Sequence, residues 1–141
     1  MKTRAGYRVI AHTSEVGLEI TGRDWPAFYL HAASGLLALY ALAPSVKADA
    51  RVTRSFKARN AEELLVCWLS ELIFLIETER RVPGRIDFVS AGPKVLKVRI
   101  HGDAPRPEKL PLAREIKAVT YHGLKVRQGR LGMEARIILD V

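Results

Sequence analysis

One stretch of the chain is almost entirely apolar. Across residues 64–76, eleven of thirteen side chains are apolar, so a helix formed here is apolar around nearly its whole circumference. Asn60 and Glu63 are spaced as a capping box before this run, and Pro83 follows its end. A membrane span needs about 20 apolar residues, and this run is shorter. The pattern therefore predicts a buried core helix lying on a sheet.

Most of the remaining segments alternate apolar and polar residues with a period of two, which is typical of strands with one face in water. Between Asp24, which is placed to cap a helix, and Pro44, which ends it, apolar residues instead recur at helical spacing. The predicted strands are residues 7–12, 16–21, 50–58, 86–89, 96–101, 115–122, 124–128 and 133–141.

The predicted strands outnumber the helices and mostly follow one another through short turns. This order favours an α+β fold, with a largely antiparallel sheet and two helices packed on one face. A length of 141 residues is typical of one domain, so residues 1–141 are predicted to form a single domain.

The chain is basic, because 23 lysines and arginines oppose 15 aspartates and glutamates and give a formal net charge of +8. This charge favours an acidic partner such as RNA or an acidic protein face, although basic residues also promote solubility. Cys67 is the single cysteine, so disulfides and thiolate metal clusters are excluded. The first residues lack the apolar run of a signal peptide, and a cytoplasmic protein without membrane association is predicted.

Polar residues with candidate chemistry lie between the first two strands, in the segment His12-Thr13-Ser14-Glu15. Ser14, His12 and Glu15 are the residue types of a hydrolytic triad, but a triad also requires the histidine between its two partners and an oxyanion hole. An alternative is that His12 and Thr13 bond main-chain groups at a turn. No glycine-rich phosphate loop, H-E-x-x-H or G-x-S-x-G motif accompanies them.

A cation site is the third interpretation of the same loop. Glu15 can supply a carboxylate ligand to a hard cation. At the other end of the chain Asp140 stands beside Val141, so side-chain, main-chain and terminal carboxylate oxygens gather within two residues. A set made of oxygens alone suits calcium or magnesium, and an irregular set suits the flexible coordination of calcium better.

Lys117 is the candidate residue of the strand predicted over residues 115–122. In an extended chain it lies on the same side as Tyr121 and on the opposite side from Ile116 and Ala118. A lysine in this position is either a solvated surface residue or an ammonium group that meets a partner.

Four segments together match the motifs of a known family. They are His12-Thr13-Ser14-Glu15-Val16-Gly17, Cys67-Trp68-Leu69-Ser70-Glu71-Leu72-Ile73-Phe74, Glu115-Ile116-Lys117-Ala118-Val119-Thr120-Tyr121-His122-Gly123-Leu124 and Ile138-Leu139-Asp140-Val141. Through them the chain resembles the archease family, whose members activate the GTP-dependent RNA ligase of tRNA splicing. The segments appear in the family's order and span the whole chain, and the third is highly specific.

The resemblance implies an activator that is not itself an enzyme. Family members promote the transfer of GMP from GTP to a histidine of the ligase and allow its multiple turnover in joining tRNA exons, so the ligase is the expected partner and tRNA an indirect one. The resemblance places the family's first-loop acid at Glu15, its essential lysine at Lys117 and its C-terminal acid at Asp140. It also implies a calcium-like cation held by Glu15, Asp140 and Val141.

The first loop departs from the family pattern at two positions. The family loop usually reads His-Thr-Ala-Asp-Val-Gly, whereas this chain has Ser14 and Glu15 in place of the small residue and the aspartate. Glutamate carries the same charge on a stem one methylene longer. It can therefore still act as a ligand, with a different reach.

Two other functions fit parts of the sequence. The net charge of +8 suits a basic RNA-binding module, although the aromatic residues fall mostly at core positions and offer no visible platform for stacking bases. A chaperone-like factor acting on RNA-processing proteins is the other alternative that the family resemblance suggests.

Overall fold

The computed structural model describes residues 6–11 and 14–141. His12 and Thr13 lie outside the described residues, and so do the triad and turn interpretations that depend on them. The helices of the described part are α1 (Trp25–Leu39) and α2 (Ala61–Ile73), and α2 continues as a π-helical segment (Phe74–Thr78). The strands are β1 (Tyr7–Ala11), β2 (Glu15–Gly22), β3 (Ala50–Lys57), β4 (Pro83–Ala91), β5 (Val95–Gly102), β6 (Ala118–Thr120), β7 (Val126–Gly129) and β8 (Gly132–Asp140).

Both helices begin where the sequence predicts. The Asp24 carboxylate accepts a hydrogen bond from the main-chain N–H of Ala27 at 2.9 Å. The Asn60 side chain accepts one from the N–H of Glu63 at 2.8 Å. Each cap satisfies a main-chain donor that the first helical turn leaves without a partner.

The described strands form two antiparallel sheets. The five-stranded sheet has the order β1-β2-β8-β6, with β7 also paired to β8, and the three-stranded sheet has the order β3-β5-β4. The predicted α+β class and antiparallel pairing are confirmed, and the strands divide between two sheets where one was expected. Alternation along a strand determines its two faces but does not specify its neighbouring strands. The hydrophobic pattern therefore could not predict that the strands divide between two sheets.

The helix α2 is buried, as its apolar run predicts. Leu64 and Trp68, one turn apart on one side of the helix, and Leu65 and Leu69, on the neighbouring side, are all 0% exposed. The indole N–H of Trp68 donates to the main-chain oxygen of Tyr29 in α1 at 2.9 Å. The Trp68 ring also meets Phe56 of β3 edge-on, with ring centroids 6.2 Å apart. Trp68 therefore joins α1 and the three-stranded sheet to one core. Across the described residues, no helix combines the length and the apolar character that a membrane crossing requires.

The C-terminal turns of the core helix are π-helical. The main-chain N–H of Glu79 donates to the oxygen of Phe74, five residues earlier, at 3.2 Å. Such wider turns are rare in proteins, and those that occur are often found at functional sites. Glu77 lies within this segment, where its carboxylate meets the chain that leads into β6.

Candidate functional site

Three segments that are far apart in sequence meet at one end of the five-stranded sheet. The register pairs Glu15 of β2 with Asp140 of β8, and Asp140 with Ala118 of β6. The N–H of Lys117 donates to the main-chain oxygen of Asp140 at 2.8 Å. The N–H of Val141 donates to the oxygen of Ser14 at 3.3 Å. We call Glu15, Lys117, Asp140 and Val141 the sheet-end site.

The two acids of the sheet-end site lie directly opposite each other. Residues paired across antiparallel strands share a face, with Cβ atoms about 4.5–5.5 Å apart. Val16 and Leu139, the neighbours of these acids, are buried against the core at 1% and 0% exposure, so Glu15 and Asp140 project to the outer face. Neither carboxylate forms an ion pair with a described residue. Like charges so placed repel each other unless a cation or a partner offsets them.

Lys117 stands immediately before β6. The strand predicted over residues 115–122 is shorter in the structure, because only Ala118–Thr120 pairs with β8. Lys117 is exposed and Ile116 is buried, as predicted, but Ala118 is also exposed, so the predicted shared face of Ile116 and Ala118 is wrong. The predicted alternation requires a paired, extended strand, and the pairing with β8 begins only at Ala118. The Lys117 ammonium has no hydrogen bond or ion pair to any described residue.

Glu77 of the π-helical segment holds the chain just before Lys117. Its Oε2 atom accepts a hydrogen bond from the N–H of Ile116 at 2.8 Å and a second one from the hydroxyl of Tyr40. The main-chain oxygen of Tyr40 accepts the N–H of Ala113 at 3.1 Å. Burial, and then the hydrogen bond with Glu77, hold the pKa of Tyr40 well above its ordinary value, so its hydroxyl stays a neutral donor.

Glu62, in the first turn of α2, holds the other end of the same segment. Its Oε2 atom accepts the N–H of Val126, the first residue of β7, at 2.7 Å. The core helix and its π-helical continuation therefore fix residues 116–126 at both ends, with Lys117 between them. The sequence pattern did not predict these roles of Glu62, Glu77 and Tyr40. Glu77 lies 39 residues from Ile116 and 37 residues from Tyr40 in the sequence, and Glu62 lies 64 residues from Val126. No local sequence pattern indicates hydrogen bonds over such separations.

Replacement of Glu77 by alanine is expected to destabilise the fold. The change leaves the buried Tyr40 hydroxyl and the Ile116 N–H without their acceptor, at a cost of about 1–3 kcal/mol in the free energy of unfolding. Denaturant unfolding measures this cost. Glu108→Ala, in the exposed loop between β5 and β6, is the matched control and is expected to change stability by less than about 0.5 kcal/mol. Equal effects of the two substitutions would contradict the anchoring role.

The ligands that the sheet-end site offers to a cation are oxygens. Within the described residues, no group of three or more His, Cys, Asp or Glu side chains is placed to hold a metal ion. Glu15 and Asp140 supply two carboxylates, and the main-chain oxygens of Ser14 and Val141 lie at the same end of the sheet. Such a set fits a hard cation that accepts main-chain oxygens and water, and it does not fit a soft metal.

The fold and the sheet-end site define a class of small α+β protein, in which two antiparallel sheets pack on two helices and the core helix anchors a lysine-bearing segment beside the last strand. The chain belongs to the archease family, since the family model described as "Archease protein family (MTH1598/TM1083)" matches residues 7–141. This finding confirms the resemblance that the four sequence segments carry.

Relatives and solved structures agree with this membership. Protein archease of Methanosarcina barkeri is 27% identical over 139 residues, covering 96% of this chain and 95% of the relative. Protein archease of Thermococcus kodakarensis is 29% identical over 121 residues, covering 83% and 84%. The solution structure of Methanobacterium thermoautotrophicum protein 1598 has a TM-score of 0.68 at 25% identity, covering 98% of this chain and 100% of that one. The Thermotoga maritima archease, described as a possible chaperone, has a TM-score of 0.65 at 22% identity, covering 100% and 98%.

Proposed function

We propose that this protein activates a GTP-dependent RNA ligase that joins tRNA exons, by promoting the transfer of GMP from GTP to a histidine of the ligase. The observation that carries the proposal is the meeting of Glu15, Lys117 and Asp140 at one end of one sheet. These residues come from three of the four segments on which the resemblance rests. A protein that only activates needs charged groups held rigidly on its surface, and it needs no catalytic pocket of its own.

Lys117 is the residue that we assign to the contact with the ligase complex. Its ammonium is exposed and has no partner among the described residues, while its main chain is fixed by Asp140. A lysine ammonium is a compact charge with three donors, suited to a phosphate of GTP or to a carboxylate of the ligase. The fixed main chain limits the entropy that this contact would otherwise cost.

Glu15, Asp140 and Val141 are the residues that we assign to a divalent cation, calcium in preference to magnesium. The facing carboxylates repel each other, and a cation between them removes the repulsion. Calcium accepts 6–8 oxygens in irregular geometry, whereas magnesium demands a near-ideal octahedron. The bound cation would hold the end of β8 beside Ser14 and the start of β2, and it would keep Lys117 in register.

The reaction that tests the proposal is the guanylylation of the cognate ligase. The ligase, labelled GTP and a divalent metal are incubated with and without this protein, and covalent GMP is followed on each chain. We expect the label on the ligase alone, at a rate raised by this protein. Label on this chain instead of on the ligase would overturn the proposal. An unchanged rate, together with suppressed aggregation of unrelated proteins, would support the chaperone-like alternative instead.

A further inference from the structure

The outer face of the three-stranded sheet is strongly basic. Every second residue of β3 and β5 points away from the core, and all of these are exposed except the half-buried His101, while the residues between them pack inward. Exposed cations come from all three strands of this sheet. We call them the basic sheet face: Arg51, Lys57, Arg85, Lys97 and Arg99.

The pairing register places hydroxyl groups beside these cations. Thr53 pairs with Arg99, and Ser55 pairs with Lys97 on the central strand β5. Ser90 of β4 pairs with Lys97 from the other side. Lys97 and Arg99 are two residues apart on one strand, so their Cα atoms lie about 7 Å apart. The face therefore presents two neighbouring cations on its central strand, with hydroxyl groups of the two flanking strands directly beside them.

Asp87 is the one carboxylate that this register places on the face, and it is already engaged. Its Oδ1 atom lies 3.3 Å from Nε of Arg85, and its Oδ2 atom lies 2.8 Å from Nε2 of His101. The interaction with His101, together with Arg85 and Arg99, holds the pKa of Asp87 below its ordinary value. Arg51, Lys57 and Lys97 have no ion-pair partner in the described part of the chain.

We propose that the basic sheet face binds the phosphodiester backbone of RNA without reading its sequence. Arginine forks and serine or threonine hydroxyls are the groups that proteins use to contact phosphate oxygens. On this outer face the described strands present no Phe, Tyr or Trp side chain on which a base could stack, and His101 is half-buried and engaged by Asp87, so recognition rests on phosphates. The choice of RNA over DNA rests on the proposed function, because the ligase joins RNA.

An acidic protein and an anionic membrane are the competing occupants of a basic surface. Protein interfaces are held by buried aromatic or apolar anchors, and here the exposed apolar residues of β4 and β5 are Val89 and Val95, which lie toward one end of the sheet. Peripheral membrane binding similarly combines basic residues with apolar groups that insert into the lipid. The mixture of cations and hydroxyls on this face favours a row of phosphates over either of these occupants.

Direct binding of labelled tRNA exon halves, in the absence of ligase and over a series of salt concentrations, tests the inference. We expect binding that weakens steeply with salt. The double substitution Lys97→Ala with Arg99→Ala should weaken it by about tenfold and lower the slope of log K against log[salt] by about 2. The control removes the same charge from the β7–β8 hairpin of the other sheet, by Arg127→Ala with Arg130→Ala, and should leave binding nearly unchanged.

The outcomes separate this inference from the proposed function. Equal losses in the two double variants would mean attraction by net charge alone and would overturn the assignment to this face. Binding to phosphatidylserine vesicles or to polyglutamate as tight as binding to RNA would overturn the assignment to RNA. The guanylylation reaction contains no RNA, so the Lys97→Ala, Arg99→Ala variant should still raise its rate even if RNA binding is lost.

Discussion

Lys117→Ala is expected to abolish the stimulation of ligase guanylylation while leaving the melting temperature within about 2 °C of the wild-type value. The side chain is exposed and forms no hydrogen bond or ion pair with any described residue, so its removal costs the fold no polar interaction. The main-chain bond from Lys117 to Asp140 is retained, because alanine keeps the N–H. The measurements are the initial rate of GMP transfer to the ligase and the thermal unfolding of the isolated protein.

Lys109→Ala is the matched control for this substitution. It removes another exposed lysine, from the loop between β5 and β6, and changes the net charge by the same amount. We expect it to leave both the melting temperature and the stimulation unchanged. If Lys117→Ala lowered the melting temperature strongly and kept the stimulation, the lysine would be structural. If both variants lost stimulation equally, the effect would come from net charge and would contradict a specific contact.

Asp140→Ala is expected to remove two properties together, the rise of the melting temperature with calcium and the stimulation of the ligase. A cation that binds only the folded form stabilises it by RT ln(1 + [L]/Kd), which is about 2.7 kcal/mol at a concentration one hundred times Kd. Without Asp140, Glu15 faces an alanine and one of the two carboxylates of the site is lost. In the presence of a chelator the variant should be no less stable than the wild type, because the repulsion between the acids is also removed.

Two other substitutions are the controls for the Asp140 experiment. Glu15→Asp restores the acid that the family loop usually carries and should keep both the calcium response and the stimulation. Glu134→Ala removes an exposed acid from the same strand β8, on the same face as Asp140, and should also keep both. If calcium and chelator gave the wild type equal melting temperatures, the cation assignment would fail, and the two acids would have to act through the ligase alone.

The core helix and the caps of both helices follow from the sequence because their causes are local. The apolar run over residues 64–76 requires that α2 be buried. The side chains of Asn60 and Asp24 each accept a hydrogen bond from a main-chain N–H only three residues further along the chain. The alternation in β3, β5 and β8 likewise separates a buried face from an exposed one within each strand. The short-range spacing of side chains is enough to determine these features.

The sheet-end site could be predicted only in part. The segment motifs identified Glu15, Lys117 and Asp140 through the family resemblance, and the register of β2, β8 and β6 is what brings them to one place. The predicted strand over residues 115–122 is longer than β6, because the alternation of residue types continues on both sides of the three paired residues. The main-chain N–H of Ile116, before β6, is held by the Glu77 side chain and not by a neighbouring strand. The periodicity of a segment reports its burial and does not report its hydrogen-bonding partners.

The sequence by itself determined the starts of both helices, the burial of the core helix, the two faces of β3, β5 and β8, and the family. Only the tertiary structure decided the division into two sheets, the anchoring of the Lys117 segment by Glu77 and Glu62, and the gathering of cations from β3, β4 and β5 on one uncovered face. The physical reason is the range of the interactions. Caps and alternation act over two to four residues, whereas these features join groups that lie 39 and 64 residues apart or belong to different strands.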